Sequence, residues 1–344
     1  MTLEETLAQI KPLDKNAMDV AAKRWDSIAK PLHSLGKMEK LVIQIAGITG
    51  NPDIKIQKRA LVAMCADNGV VEEGVTQTGQ EVTAIVAENF LSGDTSACVM
   101  SRQCGTKVIP VDIGMAVDTK VSKELKVAYG TANMTKGPAM TRAQAVQALE
   151  AGIEMVRRLK EEGYGLLATG EMGIGNTTTS SAVASVLLDR SVEEMTGRGA
   201  GLSGDGLNRK INAIRKAIEV NQPDPKDAIG VFDIAGMAGM FLGGAALGVP
   251  VVIDGFISCV AALIAQRICP LAGEYMIASH VSKEPAARLI LEALGKEAVI
   301  HGEMCLGEGS GAVALFPFLD MGIAVYDSMS TFEDIHVEQY EELV

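Results

Sequence analysis

Two carboxylates with glycine beside them are the first candidates for chemistry in this 344-residue sequence. Glu171 lies in Gly-Glu-Met-Gly-Ile-Gly-Asn-Thr-Thr at 170–178, and Glu308 in Leu-Gly-Glu-Gly-Ser-Gly-Ala at 306–312. A carboxylate in a glycine turn meets a ligand without neighbouring bulk, and partial burial raises its pKa toward that of a useful base. The plainer alternative is a solvated loop glutamate, and for Glu308 spacing alone favours it. Around Glu171, Gly173 and Gly175 let backbone amides approach a ligand, because no Cβ intervenes. Asn176, Thr177 and Thr178 are placed to cap a following helix, whose start attracts anions such as phosphate. A plain tight turn explains that pattern as well. The stretch is neither a P-loop nor a Gly-x-Gly-x-x-Gly fingerprint.

Other groups are weaker signals. Arg209 and Lys210 follow a glycine-rich loop at 197–206 and open an expected helix, where a cation suggests a nearby anion; a solvated helix cation fits equally. His280 and Ser282 sit in Ser-His-Val-Ser-Lys-Glu-Pro at 279–285, where capping alone would explain Ser282. Asp67, Asp112, Glu171, Asp254 and His280 each fall just past an expected strand, which would align them along one sheet edge. For Asp67 and Asp254, ordinary turn chemistry near glycine is an equal alternative. His33, His301 and His336 show no metal-ligand spacing, so neither a metal nor a cofactor is expected. Ser310 lacks a Gly-x-Ser-x-Gly frame, and Cys305 has no evident base. The six cysteines form no Cys-x-x-Cys and fit a reduced, cytoplasmic compartment.

The elements that must hold these groups read as alternating strands and helices. Strands are expected at 59–66, 107–111, 164–169, 249–254, 276–279 and 323–326. Helices are expected at 14–28, 37–48, 81–90, from Thr141 onward, at 182–188, 210–220 and 284–294. The alternation predicts an α/β fold with a doubly wound parallel sheet. Hydrophobic residues make up 48% of the chain and aromatics only 4%, which suits small-residue helices packed closely on such a sheet. Forty-three acids against 31 bases give a net charge of −12, a field that repels nucleic acid and anionic membranes. Residues 234–253 carry no charge and have the length of a membrane span, but Pro250 interrupts them; a buried helix followed by a buried strand is expected instead. The amino terminus lacks a signal-peptide layout.

Taken together, the motifs at 170–178, 279–285 and 306–312 resemble those of the nicotinate-nucleotide–dimethylbenzimidazole phosphoribosyltransferases, which activate the lower-ligand base of cobamides. Lys30-Pro31, Ser34-Leu35-Gly36, Gly197-Arg198-Gly199 and Asp254-Gly255-Phe256 add to the likeness, which runs in order from about residue 20 to 335. The resemblance implies a large α/β domain at 56–285 and a small helical domain built from 1–55 with 286–344. It further implies a homodimer with composite sites, a heterodimer with a related chain being the alternative. The substrates would be nicotinate mononucleotide and an aromatic base. By motif, Glu308 is the general base and Glu171 a second active-site carboxylate. Gly173, Gly175, Asn176, Thr177, Gly199, Lys210 and Ser282 match positions around the nucleotide phosphate, Ser282 being able to reach the partner's site. Gln77, Thr78, Ile85 and Leu306 match the base pocket. A non-catalytic nucleotide-binding partner subunit is the rival reading, against which both glutamates argue.

The departures from the family pattern cluster at the acceptor. Asp67-Asn68-Gly69 stands where Asp-His-Gly is usual, Thr78-Gly79 where Tyr-Pro is usual, Ile85 where a glutamine is expected, and His33 where a glycine is. A pocket that loses an amide and a tyrosine is expected to accept a purine or a phenolic compound, with or in place of dimethylbenzimidazole.

Overall fold

The computed structural model describes residues 1–225 and 230–341; residues 226–229 and 342–344, which fall within the two expected domain spans, lie outside the described residues. The chain opens with α1 (Leu3–Gln9), α2 (Lys15–Ser27) and α3 (Lys37–Thr49). It continues through β1 (Arg59–Ala66), α4 (Glu81–Ser92), α5 (Ser96–Gln103), β2 (Lys107–Gly114), α6 (Arg142–Glu161), β3 (Leu166–Met172) and α7 (Asn176–Leu188). Then come α8 (Val192–Met195), α9 (Gly204–Asn221), α10 (Phe232–Leu247), β4 (Val251–Ile253), α11 (Phe256–Ile268), β5 (Met276–Ala278), α12 (Ala287–Ala293) and α13 (Ser310–Ser328).

Every strand pair is parallel, and the order across the sheet is β2-β1-β3-β4-β5. The chain leaves β1 for one side and returns on the other, so a crevice opens at the carboxyl ends of β1 and β3. Open α/β sheets bind their ligands at such a switch point. Strand β1 is buried throughout, and its period of two divides it between two cores. Ala60, Val62, Met64 and Ala66 join side chains of α6, α10 and α11, whereas Leu61, Ala63 and Cys65 join Trp25, Val42 and Phe316 from α2, α3 and α13. Burial on both faces explains why these strands read as unbroken apolar runs.

Local capping follows the sequence. Asp14 accepts Ala17 N–H to start α2, and Thr141 with Gln144 forms a capping box on α6. The uncharged 234–253 stretch is a buried helix, α10, followed by β4. Its glycines let α6 come almost backbone to backbone: a Cβ on Gly152 would stand 1.9 Å from the Gly236 carbonyl oxygen.

Several expectations need correction. Residues 323–326 are not a strand but the last turns of α13, whose buried Phe316, Leu319, Ile323 and Tyr326 keep helical spacing. Strand β3 lies two to three residues later than expected and β2 runs three residues further. Helix α9 begins at Gly204, so Arg209 and Lys210 occupy its second turn rather than its start. Helix α1 falls within the amino-terminal fifty residues that read as helical, whereas α5, α8 and α11 are not foreseen by the sequence pattern. Among the described residues α13 alone is long and apolar enough to cross a membrane, and 56% of its apolar window is buried inside the molecule, against α3, α5 and β3.

Candidate active site

A cavity of about 390 Å³ lies at the carboxyl edge of the sheet, within the range of small-molecule sites. The β3–α7 turn supplies Glu171, Gly173, Gly175, Asn176 and Thr177; the bend before α13 supplies Leu306 and Glu308. Gly199 and Ser282 come from the loops before α9 and after β5, and Gln77 and Thr78 from the loop before α4. The five strand-end groups do share one edge, but with different surroundings.

Glu308 owes its position to two flanking glycines and a carboxylate from another element. It adopts φ 61°, between Gly307 and Gly309 at φ 88°, a left-handed bend that few side chains tolerate. Helix α13 has no capping side chain of its own at Gly309. Asp254, just past β4, takes that role: its Oδ1 accepts Gly311 N–H at 2.7 Å and Ala312 N–H at 3.0 Å, and its Oδ2 accepts Gly309 N–H at 3.1 Å. Those amides are orphan donors of a helix start, which favours an anion there. Burial pushes the Asp254 carboxyl above its ordinary range, while His280 and the amides of Ala312, Gly255 and Gly311 pull it back. Burial likewise lowers His280, opposed by Asp254. The Glu308 side chain rests at the first turn of α5, where Oε2 accepts Ala97 N–H at 3.2 Å.

Glu171 is a buried carboxyl. Burial first, then the neighbouring Asp233, raise it from 4.5 to about 8. Its Oε1 accepts Glu308 N–H at 3.4 Å, and its Oε2 accepts from Asn176 Nδ2. The two glutamates that sequence singled out, 137 residues apart, therefore touch.

Beyond Glu171 the lining passes to the amino end of α7. Helix α7 begins at Asn176 behind Gly175 in the left-handed conformation. The expected cap differs: Asn176 turns its amide back to Glu171 and Asp233, so no side chain caps the helix start. Lys210 reaches Thr177 Oγ1 at 2.8 Å and the Gly197 carbonyl at 3.1 Å, and is only 1% exposed. It lies beneath the lining rather than in it. Burial lowers its ammonium from 10.5 to about 8, opposed by Glu284. Glu284 in turn accepts Gly199 N–H at 3.1 Å.

At the third side, Gln77 Nε2 donates to the Ala200 carbonyl at 2.8 Å and so ties two cavity loops together. Thr78 and Leu306 line the space, with Val75, Val86 and Met172. Ile85 does not: it is 56% exposed on α4, whose next residue, Val86, faces the cavity instead. The register of α4 is not set by local sequence, hence the displacement. Asn68 is buried below the floor, where its Nδ2 donates to the Ile174 carbonyl at 3.2 Å.

Sequence reasoning passed over Asp233, Arg198 and the structural part of Asp254. Asp233 could have been found, as one of the two acids, with Asp254, that bracket a long uncharged stretch. Among the described residues no cluster of histidine, cysteine and acids has a metal-holding arrangement.

A protein-family profile described as phosphoribosyltransferase matches residues 10–337. The nicotinate-nucleotide–dimethylbenzimidazole phosphoribosyltransferase of Acetivibrio thermocellus is 48% identical over 347 residues, covering 98% of this chain and 99% of its own. That of Ruminiclostridium cellulolyticum is 49% identical over 351 residues, covering 100% of both. The crystal structure of CobT from Thermus thermophilus superposes with a TM-score of 0.88 at 36% identity, covering 94% of this chain and 100% of that one. With a full-length match in sequence and in fold, this chain belongs to the nicotinate-nucleotide–dimethylbenzimidazole phosphoribosyltransferase family.

Proposed function

We propose that the enzyme moves the phosphoribosyl group of nicotinate mononucleotide to a lower-ligand aromatic base, in the cytoplasm, as a step of cobamide assembly. The bond between C1′ and the pyridinium nitrogen breaks, and its electron pair leaves with nicotinate, which needs no acid. A ring nitrogen or phenolic oxygen of the acceptor attacks the opposite face, giving an α-riboside 5′-phosphate. The acceptor's proton passes to Glu308, a step that typically contributes ~10²–10⁴-fold. Glu171 faces the positive charge developing on the sugar.

The nucleotide phosphate belongs at the α7 start, with Gly173, Gly175, the backbone of Asn176, Thr177, Gly199 and Ser282 around it and Lys210 beneath. The observation that carries this reading is the meeting of Glu308 and Glu171 in one cavity that also holds a helix start without a side-chain cap, over a buried lysine. The test is nicotinate release across a panel of bases, repeated with Glu308→Gln. Turnover should fall at least a hundredfold while nucleotide binding stays within a few fold; an active variant refutes the role.

The acceptor end is apolar, lined by Val75, Val86, Met172 and Leu306 beside Gln77 and Thr78. That supports a purine or a phenolic acceptor, phenol or p-cresol, beside dimethylbenzimidazole, and a strong benzimidazole preference in the panel would defeat it. We assign the enzyme a homodimeric state, which light scattering would check against a heterodimer. The division into domains at 56–285 and at 1–55 with 286–344 belongs to the same proposal. Packing of α2, α3 and α13 on one sheet face supports it, whereas α1 lies with α6 and α10 on the other, Leu3 N–H donating to Glu150 at 2.9 Å.

A further inference from the structure

Asn176 ties two buried carboxyl groups together. One hydrogen of its Nδ2 goes to Glu171 Oε2 and the other to Asp233 Oδ2, the second at 3.1 Å. Asp233 is wholly buried in the first turn of α10, where its Oδ1 accepts Ile234 N–H at 3.0 Å. The absent Cβ of Gly173 makes room for it, since one would stand 2.9 Å from Asp233 Oδ2.

The charges around Glu171 are of one sign. Asp233 faces it from α10, Asp254 from the end of β4, and the Cys65 thiol from β1, while Glu308 offers only its backbone amide. Asp67 faces Asp233 in turn, and His280 answers Asp254 rather than Glu171. The charged neighbours that act most strongly on the pair are carboxylates: Asp233 and Asp254 on Glu171, Asp67 on Asp233. One amide hydrogen orients each group without neutralising it, and two buried anions linked in this way repel each other.

We propose that Asp233 is a positioning residue that, through Asn176, keeps Glu171 neutral in the empty site, so that Glu171 yields its proton only when a cationic ring enters beside it. The inference rests on the assignment of a pyridinium nucleotide as donor. Its step balances simply: the neutral carboxylic acid and the cationic donor become a carboxylate–cation pair, and one proton passes to the buffer. Burial and Asp233 hold Glu171 at about 8 and Asp233 itself at about 6, in accord with that order of titration. Donor binding is then selective for charge as well as shape, because a neutral product leaves Glu171 free to take its proton back.

Two measurements test the proposal. Calorimetric titration of nicotinate mononucleotide at pH 7, in buffers of different ionisation enthalpy, should show release of nearly one proton in the native enzyme. Release should fall by more than half in Asp233→Asn and vanish in Glu171→Gln. Donor Kd should rise about tenfold for each pH unit below pH 7 in the native enzyme and much less steeply in Glu171→Gln, where the phosphate and Asp233 alone titrate. Equal proton release by native and Asp233→Asn enzyme overturns the inference. Infrared difference spectra of the empty protein ask the same question without a ligand. A protonated carboxyl band at pH 7, identified by its loss in Glu171→Gln, should be present in the native protein and reduced in Asp233→Asn. Its absence from the native protein also overturns the inference. If the band behaves as stated but the nucleotide does not bind, the donor assignment fails and the role of Asp233 stands.

Discussion

Replacing Glu171 by glutamine should make the protein more stable in alkali, and by an amount the structure sets. The carboxyl rises from 4.5 to about 8 on folding, a change of roughly 3.5 units, and each unit is worth about 1.4 kcal/mol. Because its folded pKa is raised, the stabilising contribution of Glu171 is full below pH 4.5 and is lost as pH climbs through 8. Taken alone, the loss approaches about 5 kcal/mol. Asp233 shares the same amide and is itself raised from 3.8 to about 6, so the two penalties overlap and about 3 kcal/mol is the expected figure. The introduced glutamine keeps an oxygen for Asn176 and never ionises. Unfolding measured at pH 5 and pH 8 should show Glu171→Gln gaining about 3 kcal/mol on the native protein between the two values, while turnover falls. Titrations of groups not coupled to Glu171 cancel in that difference. An identical gap at both pH values would refute the claim that the fold holds this carboxyl neutral.

Other perturbations probe other parts of the design. Lys210→Met should stabilise the protein near pH 7, because a lysine depressed to about 8 loses stability as pH falls through that value; donor binding should weaken about tenfold in the same variant. Asp254→Ala leaves the amides of Gly309, Gly311 and Ala312 without their acceptor, at about 2–3 kcal/mol. Hydrogen exchange at 309–312 should quicken, and turnover should fall with it. Gly152→Ala forces α6 away from α10 and should lower stability by about 1–3 kcal/mol with kcat unchanged at permissive temperature.

Legibility tracked how local the cause was. Strand β1 is expected at 59–66 and is found there, because burial on both faces leaves an unbroken apolar run between turn signals. Helices α2 and α6 are legible from Asp14 and Thr141, whose side chains do the capping in sequence. The tail of α13 reads as a strand because Ile323 to Tyr326 is apolar and partly β-branched; only packing with α3 and β3 reveals the helical face. In the same way, Glu308 could be singled out by its glycines, but not the reason it stays put. Asp254 lies over fifty residues away, and no local pattern announces that it will cap another element's helix. Ile85 shows the limit at finest scale, since one residue of helical phase separates a cavity wall from solvent.

A buried lysine behind the lining bears on how a chain of net charge −12 takes an anionic donor. Attraction cannot come from the whole-protein field, which repels phosphate. It must be local: the Lys210 ammonium held behind Thr177, beside an α7 start that no side chain caps. Glu171 and Asp233 hold the Asn176 side chain at that same helix start, so phosphate is drawn to the Thr177 and Gly199 side, away from them. Raising salt should therefore weaken donor binding less than it would for a basic surface site, since Lys210 is buried from screening. A steep salt dependence of donor Kd would show instead that exposed charge, not the buried lysine, draws the donor in.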